Sequence, residues 1–363
     1  MLYRFATIKA DETFTADTTE VIDMTLVDPI SQLVLRFQPK TGAALASTAH
    51  FMKCISKIEL VDGSDVLFSL SGVEAHALDW YSHLMERTNI IWYLGTTAQD
   101  LVLHISFGRY LYDPQLALDP TKFNNLQLKI TLDIDGGGFN NSEIALSVFA
   151  HIFDEKTVTP EGFLMSKELK DYALGAGTHE YTDLPTDHPF RKLFLRIQKY
   201  GTGVEYCFDE IKLSEDNDKK VPLNHKIAEI IHAITAQQRP YREWIIGWGT
   251  TSATYFHCTP AYWPAISGSP WRSATLTTGL VFYEGDGGRF KTAQAAAGPN
   301  WQALIEGWCP HGVIEIPFGL QNEMEDWYDT TKLGSLQLDL KSASGMSSSE
   351  TCQVFIQQLR KYA

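Results

Sequence analysis

The chain has 363 residues, enough for two domains or one very large one. It is 44% hydrophobic and 20% charged, so it can bury a full core; a disordered chain, a collagen-like chain and a small disulfide-stapled scaffold are excluded. Acids outnumber bases 44 to 30, and a net charge of −14 ill suits binding to nucleic acid, which needs clustered Lys and Arg.

The N-terminal stretch holds Arg4 and Lys9 but no uninterrupted apolar run, so a signal peptide is not expected. No stretch approaches the 18 or so apolar residues of a membrane span. From there the chain reads as two copies of one pattern. Leu33, Leu35 and Phe37 alternate with Val34, Arg36 and Gln38, as a strand with one buried face does. A second block, Cys54 to Leu60, ends at the turn signal Asp62-Gly63. Ala77, Leu78, Tyr81, Leu84 and Met85 then fall at helical spacing. Ile105-Ser106-Phe107-Gly108 follows. An Asp-Pro step opens a short helical turn over Asp119 to Asn125. Leu126, Leu128 and Ile130 form another half-buried strand, closed by Asp135-Gly136-Gly137-Gly138, and Val148-Phe149 lies in the last strand of the copy. A linker is expected around Lys156 to Lys170, marked by Thr159-Pro160-Glu161-Gly162.

Each of these blocks then returns in order. Leu33–Gln38 reappears as Leu193–Gln198, Cys54–Leu60 as Cys207–Leu213, and Ile105–Gly108 as Ile316–Gly319. Thr121–Leu128 reappears as Thr331–Leu338 with five identities, and Val148-Phe149 as Val354-Phe355. The offsets are 160, 153, 211, 210 and 206, with a single jump of 58 residues between the second and third blocks. Between two copies of that length the unit repeated is a domain, not a solenoid turn. The helix recurs at Ile227, Ile230, Ile231 and Ile234; a shift of 153 sets Leu78 on Ile231, and Pro240 is expected to end it. A counterpart of the Asp119 turn is expected near Asp329.

The extra residues fall in Gln237 to Pro310, with Trp244, Trp248, Trp263, Trp271, Trp301 and Trp308 and the turn Gly285-Asp286-Gly287-Gly288. Two readings stand open: the insertion packs on its own domain, or it makes subunit contacts or a surface projection. Many short strands with such turns suggest a sandwich or jelly roll.

Two similar sandwiches in tandem, each with a helix after its early strands, resemble the double jelly-roll major capsid proteins. That family includes the adenovirus hexon and coat proteins of tailless icosahedral viruses. The motif carrying the likeness is Ile105-Ser106-Phe107-Gly108, then Ala117-Leu118-Asp119-Pro120, then Phe123 to Ile130. The second copy, Ile316-Pro317-Phe318-Gly319 to Leu338, carries the family's Pro, where the first has Ser106. The resemblance implies an all-β fold of two tandem jelly-roll sandwiches, with a short helix in each and the long insertion in the second. Residues 1–160 form the first jelly roll and 161–363 the second, with the insertion at roughly 237–310. It further implies a pseudo-hexagonal homotrimer tiling an icosahedral virion shell. Partners would be other copies, minor capsid or vertex proteins and, in some members, an internal membrane; assembly would take place in the host cytoplasm.

Residues 1–20 carry Arg4 and Lys9 against Asp11, Glu12, Asp17 and Glu20, so no basic arm binds the genome and no direct nucleic-acid contact is expected. Leu2, Tyr3, Phe5 and Ile8 either form an ordinary edge strand or face a layer inside the shell.

Catalytic patterns are missing from the sequence. There is no Gly-x-Ser-x-Gly elbow, no phosphate loop and no His-Glu-x-x-His. Gly175-Ala176-Gly177 and Gly247-Trp248-Gly249 read as turns. The five cysteines are odd in number and form no Cys-x-x-Cys, so neither a disulfide framework nor an oxidising compartment is expected. Cys54 and Cys207 read as small core residues, one in each copy. His257-Cys258 and Cys309-x-His311 supply zinc-type donors without a known ligand spacing, and read as buried thiols beside surface imidazoles. Asp133-x-Asp135 resembles a calcium loop, but Gly137 and Ile144 stand where ligands belong. The sequon at Asn140 carries no weight without a signal peptide, and Glu323 and Glu325 read as a solvated face. No catalytic, cofactor or metal residue is nominated, and the chain is not expected to be an enzyme. Two alternatives remain beside the capsid reading. One is a two-domain jelly-roll hydrolase acting on glycans. The other is a carbohydrate-binding or attachment module using the Trp-rich insertion, which a solvent-facing row of Trp would favour and buried Trp would not.

Overall fold

The computed structural model describes residues 2–42, 48–84, 89–138, 141–249, 254–270, 280–294 and 300–362. Met85, Asn140 and Trp271, named above, lie outside the described residues. In the first half the strands are β1 (Tyr3–Phe14), β2 (Thr18–Asp23), β3 (Ile30–Thr41), β4 (Ile55–Asp62) and β5 (Asp65–Leu70). Helix α1 (Gly72–His83) follows, then β6 (Ile90–Tyr93), β7 (Leu101–Ser106), β8 (Leu126–Leu132) and β9 (Asn141–Phe153). Two sheets face each other, in the orders β1-β9-β3-β7 and β2-β8-β4-β5.

The second half begins with β10 (Gly162–Ala173), β11 (His179–Leu184), β12 (Phe190–Ile197), β13 (Phe208–Glu215), β14 (Lys220–Lys226) and helix α2 (Ile227–Thr235). The insertion supplies β15 (Tyr241–Gly247), β16 (Thr254–His257), β17 (Pro260–Pro270), β18 (Leu280–Asp286), β19 (Arg289–Gln294) and β20 (Trp301–Pro310). The chain closes with β21 (Val313–Pro317), β22 (Leu336–Ser342) and β23 (Thr351–Lys361). Its two sheets run β10-β23-β12-β21 and β11-β22-β13-β14, the first half's order strand for strand. Each half is an eight-stranded jelly roll.

The registers repeat as well as the order. Leu33 lies opposite Ile105 and Leu193 opposite Ile316. Leu35 faces Val148 as Leu195 faces Val354, and Ile58 faces Ile130 as Ile211 faces Leu340. A one-residue slip would turn every core side chain outward, so this agreement reflects two copies of one buried face. The inner faces are dry: Leu33, Leu35, Leu193, Leu195, Ile58 and Ile211 are each 0% exposed.

Side-chain clamps are duplicated too. Asp62 Oδ1 accepts from the amides of Asn124 and Asn125 at 3.1 and 2.6 Å, and Asp216 Oδ1 from those of Gly334 and Ser335 at 2.8 and 3.0 Å. Asp23 accepts from Gln127 as Asp183 does from Gln337. Asp119 holds the amide and hydroxyl of Thr121 as Asp329 holds those of Thr331.

The structure differs from the sequence reading in several places. The two helices start 155 residues apart, at Gly72 and Ile227, not 153, because the β13–β14 hairpin is two residues longer than β4–β5, whose turn sits on Gly63 at φ +60°. The second helix ends at Thr235, short of Pro240. The turn at Asp119 shrinks to a 3₁₀ turn over Pro120–Lys122, and at Asp329 only a hydrogen-bonded turn forms, with the 3₁₀ turn displaced to Met324–Asp326. Much of the expected linker is strand β10, leaving residues 157–161 as the connection. Strand β12 is buried on both faces, so Phe194 and Arg196, on the face away from the roll's own core, are covered too.

The halves are fused through one sheet. Strands β5 and β10 pair in parallel, Phe68 opposite Ser166 and Ser69 opposite Lys167, which joins β2-β8-β4-β5 to β10-β23-β12-β21. The insertion also belongs to both halves, contrary to the reading that it packs on its own domain. Its sheet β17-β20-β15-β6 takes β6 from the first half, parallel to β15 with Ile91 opposite Ile245. Trp301, Phe256 and Phe290 share one apolar core with the first jelly roll, while Ala261, Tyr262 and Cys309 join the core of the second.

Candidate assembly surfaces and a buried histidine cluster

Helix α1 is locally specified by a capping box: the Ser71 amide and hydroxyl donate to Glu74 Oε2 at 2.8 and 2.7 Å. Ten of its twelve residues are buried, because it packs on its own jelly roll and on the outer face of the second. On the near side Asp79 accepts from the His104 amide at 3.0 Å. On the far side the Tyr81 hydroxyl donates to Val313 O at 2.7 Å, and Lys192 Nζ donates to Tyr81 O at 2.9 Å. Lys192 also pairs with Glu315, which accepts from Gln238 at 2.6 Å. Phe194 and Phe355 stack at 4.6 Å beside Tyr81. This face of the second jelly roll is therefore an occupied interface inside the chain. Burial pulls the Lys192 ammonium below its usual range, with Glu315 opposing.

At the edge of the same joint, Arg360 makes a two-pronged pair with Asp65 at 2.9 and 2.5 Å. The Tyr362 hydroxyl accepts from the Asp119 amide at 2.7 Å and donates to Ala117 O at 2.8 Å. Arg109, held by Asp113, reaches Asn322 O at 2.7 Å.

Three segments bring histidines together at the joint with the insertion. His76 on α1 and His311, in the turn before β21, share a hydrogen bond of 2.8 Å. His50 stands edge-on to His311 with ring centres 4.7 Å apart, accepts from the Met52 amide at 3.1 Å, and lies 3.3 Å from the Thr259 hydroxyl. Asn89 and Tyr241 reach His76 at 3.4 and 3.3 Å. Glu243 on β15 accepts from the Thr259 amide and hydroxyl at 2.6 and 2.7 Å and comes within 4.0 Å of His50. Burial holds His50 and His311 well below the usual histidine range, takes His257 down to about 3, and lifts Glu243 to about 7. Burial thus favours the neutral forms of His50 and His311, which serve as hydrogen-bonding groups. Among the described residues no group of three or more His, Cys, Asp or Glu side chains is placed to hold a metal ion.

The remaining sequence candidates fall as follows. His257 and His311 are 3% and 2% exposed, so they are core residues and not surface imidazoles. The five thiols are free and buried, and burial lifts Cys54, Cys207 and Cys352 to about 12. Asp133 and Asp135 lie in a tight turn closed by Gly136 N to Asp133 O, and Glu323 and Glu325 are exposed. Of the insertion's described tryptophans, Trp301 is fully buried, Trp248 and Trp308 are half-buried, and Trp244 and Trp263 are exposed. The histidine cluster and the Lys192–Glu315 pair escaped sequence reasoning, because their members share no spacing.

Among the described strands, each sheet ends in two edges, and β1 and β14 are two of these. Strand β1 has β9 on one side only, and β14 has β13 on one side only. On β1 and just before it, Leu2, Tyr3 and Phe5 are 59%, 45% and 54% exposed, so this segment forms an edge strand; Ile8 is half-buried against the core. Six of the seven β14 residues are exposed.

No family model matches the sequence, and no curated protein matches it. Solved structures do match in fold. The STIV MCP, from Sulfolobus Turreted Icosahedral Virus, is similar with a TM-score of 0.61 and 11% identity over 99% of this chain and 97% of that one. The major capsid protein P2 from bacteriophage PM2 is similar with a TM-score of 0.57 and 10% identity, over 99% and 98%. PBCV-1 VP54, in a structure fitted into a reconstruction of the virophage Sputnik, is similar with a TM-score of 0.59 and 10% identity, over 98% and 93%. The expected all-β double jelly roll is the observed fold.

Proposed function

We propose that this chain is a major capsid protein, a structural unit of an icosahedral virion with no catalytic role. The observation that carries the reading is coextension. This chain and the major capsid protein P2 match over 99% and 98% of their lengths, so the likeness takes in both jelly rolls and the insertion. The division at residues 160 and 161, with 237–310 as insertion, belongs to the same reading; it is supported by strand β10, which opens the second set of sheets at Gly162. Three copies would form a pseudo-hexagonal capsomer of six similar sandwiches, with lateral contacts between capsomers and minor capsid or vertex proteins at special positions. The shell would assemble in the host cytoplasm, with other proteins or a membrane between it and the genome. The net charge of −14 supports that separation. The scattered exposure of the insertion's tryptophans gives the glycan-binding and glycan-cleaving alternatives no specific support. Sedimentation and negative-stain microscopy of the purified chain test the proposal. Hexagonal trimers are expected; a monomer that binds or cleaves glycans would overturn it.

A further inference from the structure

We propose that strand β14 of one copy adds in parallel alongside strand β1 of a second copy of this chain, with Lys220 of the first copy paired to Asp154 of the next. The inference rests on the capsid reading and assigns the faces through which copies meet.

The duplication supplies the argument. Paired positions set β1 against β10 with an offset of 161, β5 against β14 with 155, and β9 against β23 with 206. Inside the chain, β5 and β10 are not edges, since they pair with each other through Phe68–Ser166 and Ser69–Lys167. Their duplicates, β14 and β1, are both open. An open edge with bare backbone groups is a template for strand addition, and the chain has already used that template once. Carried across, the internal register sets Leu223 opposite Phe5 of the next copy, and Asn224 opposite Ala6.

Burial agrees with this. Leu2, Tyr3 and Phe5 correspond to Phe163, Leu164 and Ser166, which are 0%, 2% and 2% exposed because the first jelly roll covers them. The N-terminal residues are 59%, 45% and 54% exposed, as the same surface should be when its cover comes from another molecule. Helix α2 fits the same pattern: α1 is buried on both sides, while α2 leaves Ala228, Glu229, His232 and Ala233 exposed.

Charge gives a separate check. Asp65 and Arg360 clasp the internal joint. Their duplicates are Lys220 and Asp154, again of opposite sign but with the signs exchanged. Lys220 is 68% exposed and pairs with Glu215 at 3.1 Å, while Asp154 lies against Arg4 at 3.0 Å, so Lys220 would extend an existing network. Each contact joins two different faces, so it is heterologous and closes only as a ring.

Charge reversal and cross-linking test the proposal on the full chain. Asp154→Lys and Lys220→Asp should each move the trimer–monomer midpoint to at least ~10-fold higher concentration in sedimentation, and the double variant should return it. In the second test, Phe5→Cys with Leu223→Cys and a short thiol-to-thiol linker should give covalent dimers and trimers, while neither single variant does; the five native thiols are buried and do not compete. A wild-type trimer whose double-cysteine variant stays uncross-linked, and whose charge variants assemble unchanged, overturns this interface and leaves the capsid reading standing. A wild-type chain that is monomeric at every concentration overturns the capsid reading itself.

Discussion

The ammonium of Lys192 meets the carboxylate of Glu315 with both side chains almost wholly buried, 4% and 5% exposed. The pair joins neighbouring strands β12 and β21 of the second jelly roll, and Lys192 also donates to Tyr81 O of helix α1, which carries the link to the first. Burying two charges costs several kcal/mol each, and their attraction only about offsets it, so the pair is worth little against an apolar one. Breaking it is another matter. Lys192→Met should cost roughly 3–5 kcal/mol, because the Glu315 charge is left in the interface. Adding Glu315→Leu should recover most of that loss. Urea unfolding of the two variants checks it; a single variant as stable as wild type would show that the site hydrates freely.

The clamps made by Asp62 and Asp216 give a paired prediction. Each carboxylate receives two backbone amides of the loop before its roll's β8 or β22 strand. Hydrogen bonds to a charged acceptor contribute about 1.5–3 kcal/mol, less at an exposed site, so Asp62→Ala and Asp216→Ala should each cost about 1–2 kcal/mol. Similar losses in thermal unfolding are expected. A cost confined to one variant would mean that the two loops are no longer doing the same job.

How much of this was legible follows from where the information sits. Leu33 and Ile105, or Leu193 and Ile316, are cross-strand partners, so selection on one buried pair kept both blocks recognisable in each copy. Alternation exposed β3 but hid β12, whose outward Phe194 is buried by Tyr81 from a helix more than 100 residues away. The insertion's use of β6 had no sequence signal, since Ile90–Tyr93 is too short a strand to announce a parallel partner as far along the chain as Trp244–Gly247. His50, His76 and His311 are brought together only by the fold, and nothing in their spacing shows it.

The thiols offer a direct check on core packing. All five are buried, and burial raises Cys54, Cys207 and Cys352 to about 12, so almost no thiolate exists at neutral pH. Native protein should therefore react with none of five equivalents of an aromatic disulfide reagent over the time in which unfolded protein reacts with all five. A fast-reacting thiol in the native state would locate a breach in one of the two cores.

Glu243 opposes its histidine neighbours in the stability profile between about pH 4.5 and 7. Burial raises its carboxyl to about 7, against roughly 4.5 in the unfolded chain. The folded state therefore holds a proton that the unfolded state releases between those values. Its contribution is fully present below pH ~4.5 and is lost as the pH rises through 7; at 1.4 kcal/mol per unit the loss amounts to about 3 kcal/mol. The neighbouring imidazoles work the other way. His50, His311 and His257 are depressed by burial, so their contribution is present above the ordinary histidine value and is lost as the pH falls below it. Below the ordinary histidine value the three imidazoles outweigh the single carboxyl, so these groups should make the chain gain stability as the pH rises toward neutrality and contribute no further change above about pH 7. Glu243→Gln removes only the carboxyl's share. A glutamine fits the space of the protonated acid, and the Thr259 hydroxyl can turn to accept from its amide. The stability of Glu243→Gln relative to wild type should then climb by about 3 kcal/mol between pH 5 and pH 9, measured by urea unfolding across that range. A difference that stays flat with pH would mean that Glu243 is already ionised in the folded chain, with His50 protonated beside it, and the neutral cluster described above would be wrong.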